Sequence, residues 1–273
     1  MTGWPPEGGR VVGIAVAAPG EVELVDADAV PSARGGRVRV EQDPALGADE
    51  VAGATVCTLI SPGTELAGAY RPVGPHAPYP WIPGYAAVFR VDALGSQVEG
   101  IAVGDLVFSQ GSHRSRQREA ASAVWRLPDG LDPFTAVFAR LMAVPLAALS
   151  TAEGLVGAEV GVSGLGPIGH LAAAIAAHSG ARVTAWDPRE DRRTQAPASV
   201  TVLEGPPEPG PRAQYGTTHG FDLVLECSGH DGAALAAVRA VRSGERSCWS
   251  APPGPAGLRP RLTTCSPRCS TAT

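Results

Sequence analysis

One ten-residue stretch limits the possible folds of this chain more than any other: residues 161–170 read GVSGLGPIGH. Its glycines at positions 164, 166 and 169 follow an apolar run, AEVGVS, and overlap an alanine-rich run, PIGHLAAAIAAHSG. The apolar run indicates a buried strand, the alanine-rich run a helix ending at Gly180, and the following ARVTAWDP a second strand. A strand, a glycine-rich turn, a helix and a strand within about 30 residues predict a β-α-β unit with parallel strands.

The glycine spacing in this unit is typical of a dinucleotide site. Gly164 permits a tight turn, Gly166 lets the backbone approach a pyrophosphate, and Gly169 allows the helix to pack closely on the strand, so phosphates meet the free N–H groups of the helix start. Asp187 ends the second strand, where its carboxylate can accept hydrogen bonds from ribose hydroxyls. The alternative is a tight turn whose glycines only relieve crowding.

NAD is the first choice of nucleotide, because a 2′-phosphate would meet the like charge of Asp187. NADP is the alternative, since Arg189, Arg192 and Arg193 follow closely and could pair with that phosphate. The sequence leaves this choice open.

The rest of the chain shows two successive sequence patterns, one of short strands and one of alternating strands and helices. Residues 11–150 hold short strand-like segments between glycines and prolines, among them RVVGIAVAA, EVAGATVCTLI and YAAVFRVDAL, which predict a β-rich, barrel-like domain over residues 1–150. Helical patterns begin near residue 132. Further along this helical region, Pro145 either opens a second helix or kinks a longer one. SVTVLE, FDLVLECSG and the helical DGAALAAVRAVRS then extend the parallel α/β pattern over residues 151–244.

Composition excludes several classes of function. The net charge is -5 with 22 dispersed basic residues, so nucleic acid and anionic membranes are not expected partners. No apolar run of about 18 residues and no signal-like start occur, which favours a cytoplasmic protein with a small-molecule substrate. Five cysteines, an odd number, do not form a disulfide framework.

Several stretches together resemble the medium-chain dehydrogenase/reductase superfamily, the zinc alcohol dehydrogenase-like proteins, from about residue 10 to residue 244. They are CTLISPGTE at 57–65, PWIPGYAAVFRVDALG at 80–95, VGDLVF at 103–108, VWRLPDGL at 124–131, SGLGPIG at 163–169 and FDLVLECSG at 221–229. The SPGTE pattern is similar to the branch of bacteriochlorophyllide a dehydrogenase-like proteins. The resemblance implies an α/β chain: a β-rich GroES-like domain followed by a Rossmann doubly wound parallel sheet.

The activity implied by this resemblance is NAD(P)-dependent hydride transfer to or from an alcohol, a carbonyl or an activated alkene. The implied cofactor-binding residues are Gly164, Leu165, Gly166, Pro167, Ile168, Gly169, Asp187, Arg192 and Ser228. Relatives commonly form homodimers through one edge of the Rossmann sheet.

The zinc ligands of that superfamily are replaced in this chain. Ser61 stands in the stretch where zinc members carry a cysteine, and Gly84, Tyr85 and Ala86 stand where they have Gly-His-Glu. Serine and tyrosine are poor substitutes for thiolate and imidazole, and no cysteine between Cys57 and Cys227 could form a structural zinc lobe. We therefore expect a zinc-free protein.

Without a Lewis acid, hydroxyl or imidazole groups must stabilise the developing charge. Four residues lie in segments that line the substrate cleft in that superfamily and are the catalytic candidates: Tyr85, Ser61, Glu65 and His113. Each has a simpler alternative. Tyr85 could be a packed aromatic residue, and Ser61 and Glu65 could stabilise a turn. His113 begins the segment HRSRQR, whose arginines could form a solvated face; the functional alternative for this segment is a clamp for an anionic substrate.

The final 29 residues, ERSCWSAPPGPAGLRPRLTTCSPRCSTAT, break the pattern. They hold five Pro and three Cys but no Val, Ile or Phe, so residues 245–273 are expected to be irregular and to form no strand. A frameshift near Gly244 explains this composition; a Cys265/Cys269 metal or redox pair is the competing interpretation. The Rossmann sheet would then be incomplete and the usual dimer edge lost. A truncated, non-catalytic nucleotide-binding fragment or pseudoenzyme is accordingly the alternative function.

Overall fold

The computed structural model describes residues 11–26, 29–32, 36–39, 45–66, 70, 79, 81–152, 154–207 and 220–249. The chain divides into two units, Met1–Arg140 and Leu141–Thr273.

The first unit begins with two antiparallel strand pairs. β1 (Val12–Ala18) pairs with β2 (Glu21–Asp26), and β3 (Ala29–Ser32) pairs with β4 (Gly36–Arg39). Gly20 has a φ of 78° in the turn between β1 and β2, a left-handed conformation that glycine adopts without strain.

The main sheet of the first unit has five antiparallel strands. In sheet order they are β8 (Arg116–Ala120), β5 (Glu50–Thr58), β6 (Ala87–Leu94), β7 (Leu106–Ser109) and β9 (Val124–Arg126). Their inward side chains form one apolar cluster that contains Val51, Phe89, Val91, Val107 and Val124. The predicted β-rich half is thus confirmed, because short strands with branched apolar side chains share one core.

Short helices follow the strands. α1 (Pro62–Glu65) comes directly after β5, a 3₁₀ turn spans Ala121–Ala123, and α2 (Pro133–Ala136) precedes α3 (Ala139–Leu149). Pro145 lies inside α3, so the predicted helical region contains two helices and Pro145 does not open the second one.

The second unit is a five-stranded parallel sheet. Its order is β12 (Thr201–Leu203), β11 (Arg182–Trp186), β10 (Glu159–Ser163), β13 (Phe221–Glu226) and β14 (Val241–Trp249). Three helices connect the strands: α4 (Pro167–His178), α5 (Glu190–Arg193) and α6 (Asp231–Ala240). The direction in which the chain adds strands reverses between β10 and β13, and the glycine-rich turn follows β10 at this switch point. The predicted Rossmann-type sheet is confirmed.

Two expectations about the end of this unit are wrong. The helix predicted through Ser243 ends at Ala240, and residues 245–249, expected to be irregular, belong to β14, which pairs in parallel with β13 after a register shift. A parallel ladder uses backbone N–H and C=O groups, which every residue of this proline-free segment supplies whatever its side chain. Residues 250–273, with Cys265 and Cys269, lie outside the described residues.

Of the helices within the described ranges, none is both long enough and apolar enough to cross a membrane.

Candidate active site and nucleotide site

The S-P-G-T-E segment forms a single helical turn in which Glu65, the last residue, contacts Ser61, the first. Ser61 is the N-cap residue and Pro62 occupies the first helical position, where its fixed φ suits a helix. The Ser61 N–H donates to Oε1 of Glu65 at 2.8 Å, and the Glu65 N–H donates to the Ser61 carbonyl at 2.9 Å. This reciprocal pattern resembles a capping box and fixes the carboxylate of Glu65.

His113 is held by its backbone and by a glycine. Its N–H donates to the Pro83 carbonyl at 3.0 Å, and its carbonyl accepts from the Ile14 N–H at 3.0 Å. Gly84 has a φ of 96°, and a Cβ there would lie 2.6 Å from the His113 nitrogen and 3.0 Å from its ring. Gly84 therefore makes the room in which the imidazole sits.

Glu65 and His113 form a buried pair. Nε2 of His113 lies 3.3 Å from Oε1 and 3.4 Å from Oε2 of Glu65, and the two side chains are only 5% and 3% exposed. On its other side, Nδ1 of His113 lies 2.8 Å from Oγ1 of Thr58. An imidazole with a carboxylate on one nitrogen and a hydroxyl on the other can hold and pass on a proton.

A pocket of about 360 Å³ opens beside this pair. Its apolar lining comes from Ile14, Ile60, Pro62 and Leu66, and its polar lining from Thr58, Glu65, Tyr70 and His113. Burial, and secondly the negative charge of Glu65, raise the pKa of Tyr70, so its phenol stays protonated at neutral pH. The pocket combines an apolar body with a few convergent polar groups, as small-molecule sites do.

Ser61 and Tyr85 are not among the described lining residues: Ser61 contacts the lining through Glu65, and Tyr85 contacts Thr64 of the same turn. The Ser61 N–H donates to Glu65, and the Ser61 hydroxyl donates to Thr64 Oγ1 at 3.4 Å. The Tyr85 hydroxyl is also 3.4 Å from Thr64 Oγ1, and the guanidinium of Arg140 lies 4.9 Å above the Tyr85 ring. Of the four predicted catalytic residues, Glu65 and His113 thus line the pocket, whereas Ser61 and Tyr85 support the turn beside it.

The three arginines after His113 contact carboxylates. Arg114 pairs with Glu119, Arg116 with Asp92 at 2.6 Å, and Arg118 donates from Nε to Glu50 at 2.7 Å. Such pairing is typical of a strand surface and offers no support for an anion clamp.

The described residues around the pocket are a poor set of zinc ligands. The resemblance implies Ser61 and Tyr85 where zinc members carry thiolate and imidazole, and Glu65 and His113 contact each other. Within the described ranges, no group of three or more His, Cys, Asp or Glu side chains is arranged to hold a metal ion. Tetrahedral zinc requires at least three such protein ligands.

The glycines of the second unit fall into two kinds. Gly164 has a φ of 90°, and a Cβ there would lie 2.9 Å from the backbone of Ser228. A Cβ on Gly169 would lie 1.8 Å from the Gly164 carbonyl oxygen, so this glycine permits close helix-to-strand packing. Gly166, in contrast, has a φ of -74° and no atom within 4 Å of a Cβ. Relief of internal crowding explains Gly164 and Gly169 but not Gly166.

The first turn of α4 begins with residues that leave its backbone N–H groups without a side-chain cap. Gly166 is the N-cap residue and provides no side-chain cap, and Pro167 has no N–H to satisfy. Ile168 and Gly169 follow, and their amides belong to the first turn, whose N–H groups have no partner within the helix. Leu165 is fully buried and holds the turn against the core.

Asp187 anchors the glycine-rich turn. Its Oδ2 accepts from the Leu165 N–H at 2.8 Å and from Arg192 Nη1 at 3.2 Å, and its Oδ1 accepts from the Arg189 N–H at 2.9 Å. Burial alone would raise the pKa of Asp187, but the hydrogen bonds from Arg189, Leu165 and Arg192 outweigh it and hold the pKa below the usual value. Arg192 therefore takes up one acceptor position of the Asp187 carboxylate, which the sequence predicts to accept hydrogen bonds from the ribose hydroxyls.

Two further contacts shape this site. Arg193 donates from Nη1 to the Asp187 carbonyl at 2.9 Å, whereas Arg189 pairs with Asp191 in solvent. Ser228 donates its N–H at 2.8 Å and its hydroxyl to Oε1 of the buried Glu226, which fixes the turn that packs against Gly164.

Sequence reasoning missed Thr58 and Tyr70 as pocket residues. Thr58 is the last residue of β5, three positions before Ser61, so a search of the strand that leads into the S-P-G-T-E turn could have found it. Tyr70 follows the turn by five positions with no periodic signal, and only the fold places it in the pocket.

Known proteins are similar to this chain in sequence and in fold. No family model matches the chain. An L-threonine 3-dehydrogenase from Vibrio parahaemolyticus is 31% identical, with 66% of this chain and 63% of that protein covered. One from Aeromonas hydrophila is 33% identical, with 56% and 54% covered. The chain spans less than two thirds of the length of these relatives.

Solved structures share the fold. A protein from Sinorhizobium meliloti 1021, described as a zinc-binding dehydrogenase and bound to NADP, has a TM-score of 0.71 at 18% identity, covering 92% of this chain and 79% of that one. 2R,3R-butanediol dehydrogenase from Bacillus subtilis has a TM-score of 0.65 at 17% identity, covering 89% and 79%. The chain thus shares its fold with solved dehydrogenases, and part of it is similar in sequence to the threonine dehydrogenases.

Proposed function

We propose that this chain is an NAD(P)-dependent oxidoreductase that interconverts an alcohol and a carbonyl compound without zinc. The observation that carries the proposal is Gly166, a glycine that the fold itself does not require but that a pyrophosphate does. The second unit binds the nucleotide, and the first unit supplies the proton chemistry through Glu65 and His113.

The residues proposed to hold the nucleotide are those of the glycine-rich turn, Asp187 and Arg192. The amides at the start of α4 receive the pyrophosphate, and one lone pair of Asp187 Oδ1 remains for a ribose hydroxyl. NAD remains the first choice and NADP the alternative, because Arg192 partly offsets the charge of Asp187. When bound, the nicotinamide supplies hydride transfer to or from carbon.

The protein's own residues manage the proton on the substrate oxygen. During alcohol oxidation the hydroxyl proton must leave, and His113 accepts it while the buried carboxylate of Glu65 stabilises the resulting imidazolium. During carbonyl reduction the same pair returns the proton. Reduction of an activated alkene, in which the enolate oxygen takes the place of the alkoxide, is the second reaction that this pair could serve.

The substrate proposed for this pocket has a largely apolar body and one hydroxyl or carbonyl group. The described lining supplies four apolar side chains beside its polar groups, which suits such a substrate.

The proposal is tested by following NAD(P)H formation with cyclohexanol, phenylethanol or L-threonine, and its consumption with acetophenone or cyclohexenone, in the presence and absence of EDTA. We expect turnover of the apolar alcohols and ketones, unchanged by EDTA. Nucleotide binding without turnover of any substrate would instead favour the pseudoenzyme. Loss of activity on chelation would contradict zinc independence.

A further inference from the structure

Thr58 occupies a position in the pocket that the reaction described above leaves without a role. It is the last residue of β5, pairs with Ala87 across the sheet, and is half-buried with its side chain in the pocket lining. Its hydroxyl oxygen lies 2.8 Å from Nδ1 of His113, the shortest of the three contacts that the His113 ring makes with Thr58 and Glu65.

Glu65 determines which nitrogen of His113 carries hydrogen. A carboxylate without a proton only accepts hydrogen bonds, so with Glu65 in that form Nε2, which faces it, is the N–H of the neutral ring. Nδ1 then has a lone pair and accepts the hydrogen bond from the Thr58 hydroxyl. Since that hydroxyl has donated its only hydrogen, its free lone pair is an acceptor.

We propose that Thr58 is the catalytic residue that contacts the substrate oxygen and relays its proton to His113, with Glu65 as the positioning residue behind the ring. The inference rests on the proposed oxidoreductase function and names the contact that this function needs. The order hydroxyl, imidazole, carboxylate is the arrangement that activates a hydroxyl in other enzymes.

The proton balance of the relay closes without a further reactant. In oxidation the substrate O–H bond breaks, its proton goes to Oγ1 of Thr58, and the threonine's own proton goes to Nδ1 of His113. The hydride leaves the substrate carbon for the nicotinamide, and the C=O bond forms. His113 then holds the proton as an imidazolium that donates from Nε2 to Glu65, until the proton is released. Reduction runs through the same steps in reverse.

Other polar groups of the described lining are less suited to this contact. Tyr70 keeps its proton, because burial and then the charge of Glu65 raise the pKa of its phenol, so it cannot act as the base. Glu65 already accepts the Ser61 N–H and faces His113, and its side chain is only 3% exposed.

The variants Thr58→Val and Thr58→Ser distinguish the contribution of the Thr58 hydroxyl from that of its packing. Valine keeps the shape of threonine and removes the hydroxyl, whereas serine keeps the hydroxyl. Thr201→Val, on an exposed position of β12, is the matched control for the same chemical change elsewhere. We expect Thr58→Val to lower kcat about a hundredfold with nucleotide affinity unchanged, and Thr58→Ser to restore most of it. An unchanged kcat in Thr58→Val would overturn the relay.

A second readout requires neither nucleotide nor turnover. In protein labelled with ¹⁵N-histidine, with His113→Gln used to assign the resonance, the free wild type should show hydrogen on Nε2 and a hydrogen-bonded lone pair on Nδ1. Thr58→Val should shift the Nδ1 resonance, and Thr58→Ser should not. Hydrogen on Nδ1 in the wild type, or no shift in Thr58→Val, would overturn the relay. Absence of turnover together with the expected spectra would instead count against the oxidoreductase function alone.

Discussion

Nε2 of His113 lies 3.3 Å from Oε1 of Glu65, although 48 positions separate the two residues in the chain. Both side chains are almost excluded from solvent. Burying such a pair removes two polar groups from water at a cost, so the contact is weak evidence for a stabilising role. A titratable pair that faces a pocket is better explained by proton chemistry.

Replacing Glu65 by glutamine tests the charge of this pair. The glutamine carbonyl can still accept the Ser61 N–H, but it offers no negative charge to a protonated His113. We expect kcat to fall roughly a hundredfold while nucleotide affinity is retained. Glu119→Gln, a carboxylate paired with Arg114 outside the described pocket lining, is the matched control and should leave kcat unchanged. Equal effects of the two substitutions would refute the role given to Glu65.

Replacing Gly84 by alanine tests the room made for the imidazole. The new Cβ would meet the His113 backbone at 2.6 Å, at a φ that alanine rarely adopts. We expect the free energy of unfolding, measured in urea, to fall by about 2–3 kcal/mol. Gly100→Ala has a similar positive φ but no atom within 4 Å, so it should cost only about 1 kcal/mol. If the two variants were equally stable, the close approach would have no energetic effect.

Replacing Arg192 by alanine tests the nucleotide preference. Without the contact from Arg192, Asp187 regains a free lone pair for a ribose hydroxyl and its charge repels a 2′-phosphate more strongly. We expect the ratio of NADH to NADPH affinity to rise roughly tenfold, the equivalent of one charge-assisted hydrogen bond. Arg126→Ala, in the first unit, should leave the ratio unchanged. A ratio that moved toward NADPH would show that Arg192 has no such role.

The pH dependence of stability tests Asp187. Its pKa is lower in the folded protein than in the unfolded chain, so its charged form stabilises the fold above the usual value of 3.8, and this contribution is lost as pH falls below it. Wild type should exceed Asp187→Asn in free energy of unfolding at neutral pH, and this difference should shrink below pH 3.8. Asp191→Asn, at an exposed pair with Arg189, should change little. A difference that did not depend on pH would contradict this account.

Sequence patterns predicted the elements better than the site. Strand alternation and the glycine turn suffice for the β-rich half and for the parallel sheet around Gly164, because both are local signals. β14 escaped prediction because backbone pairing does not depend on apolar side chains. Thr58 and Tyr70 escaped because their meeting with His113 depends on contacts between distant segments, which composition and periodicity do not encode.

Titration with NADH and NADPH tests the central claim most directly. Wild type should bind at least one of them saturably, with energy transfer from tryptophan. Gly166→Val should fold normally, since no protein atom lies within 4 Å of a Cβ there, yet lose binding because the side chain occupies the place of the pyrophosphate. Gly232→Val, equally uncrowded in α6, should bind as wild type does. A folded wild type that binds neither nucleotide, or a Gly166→Val variant that binds as tightly as wild type, would contradict the account.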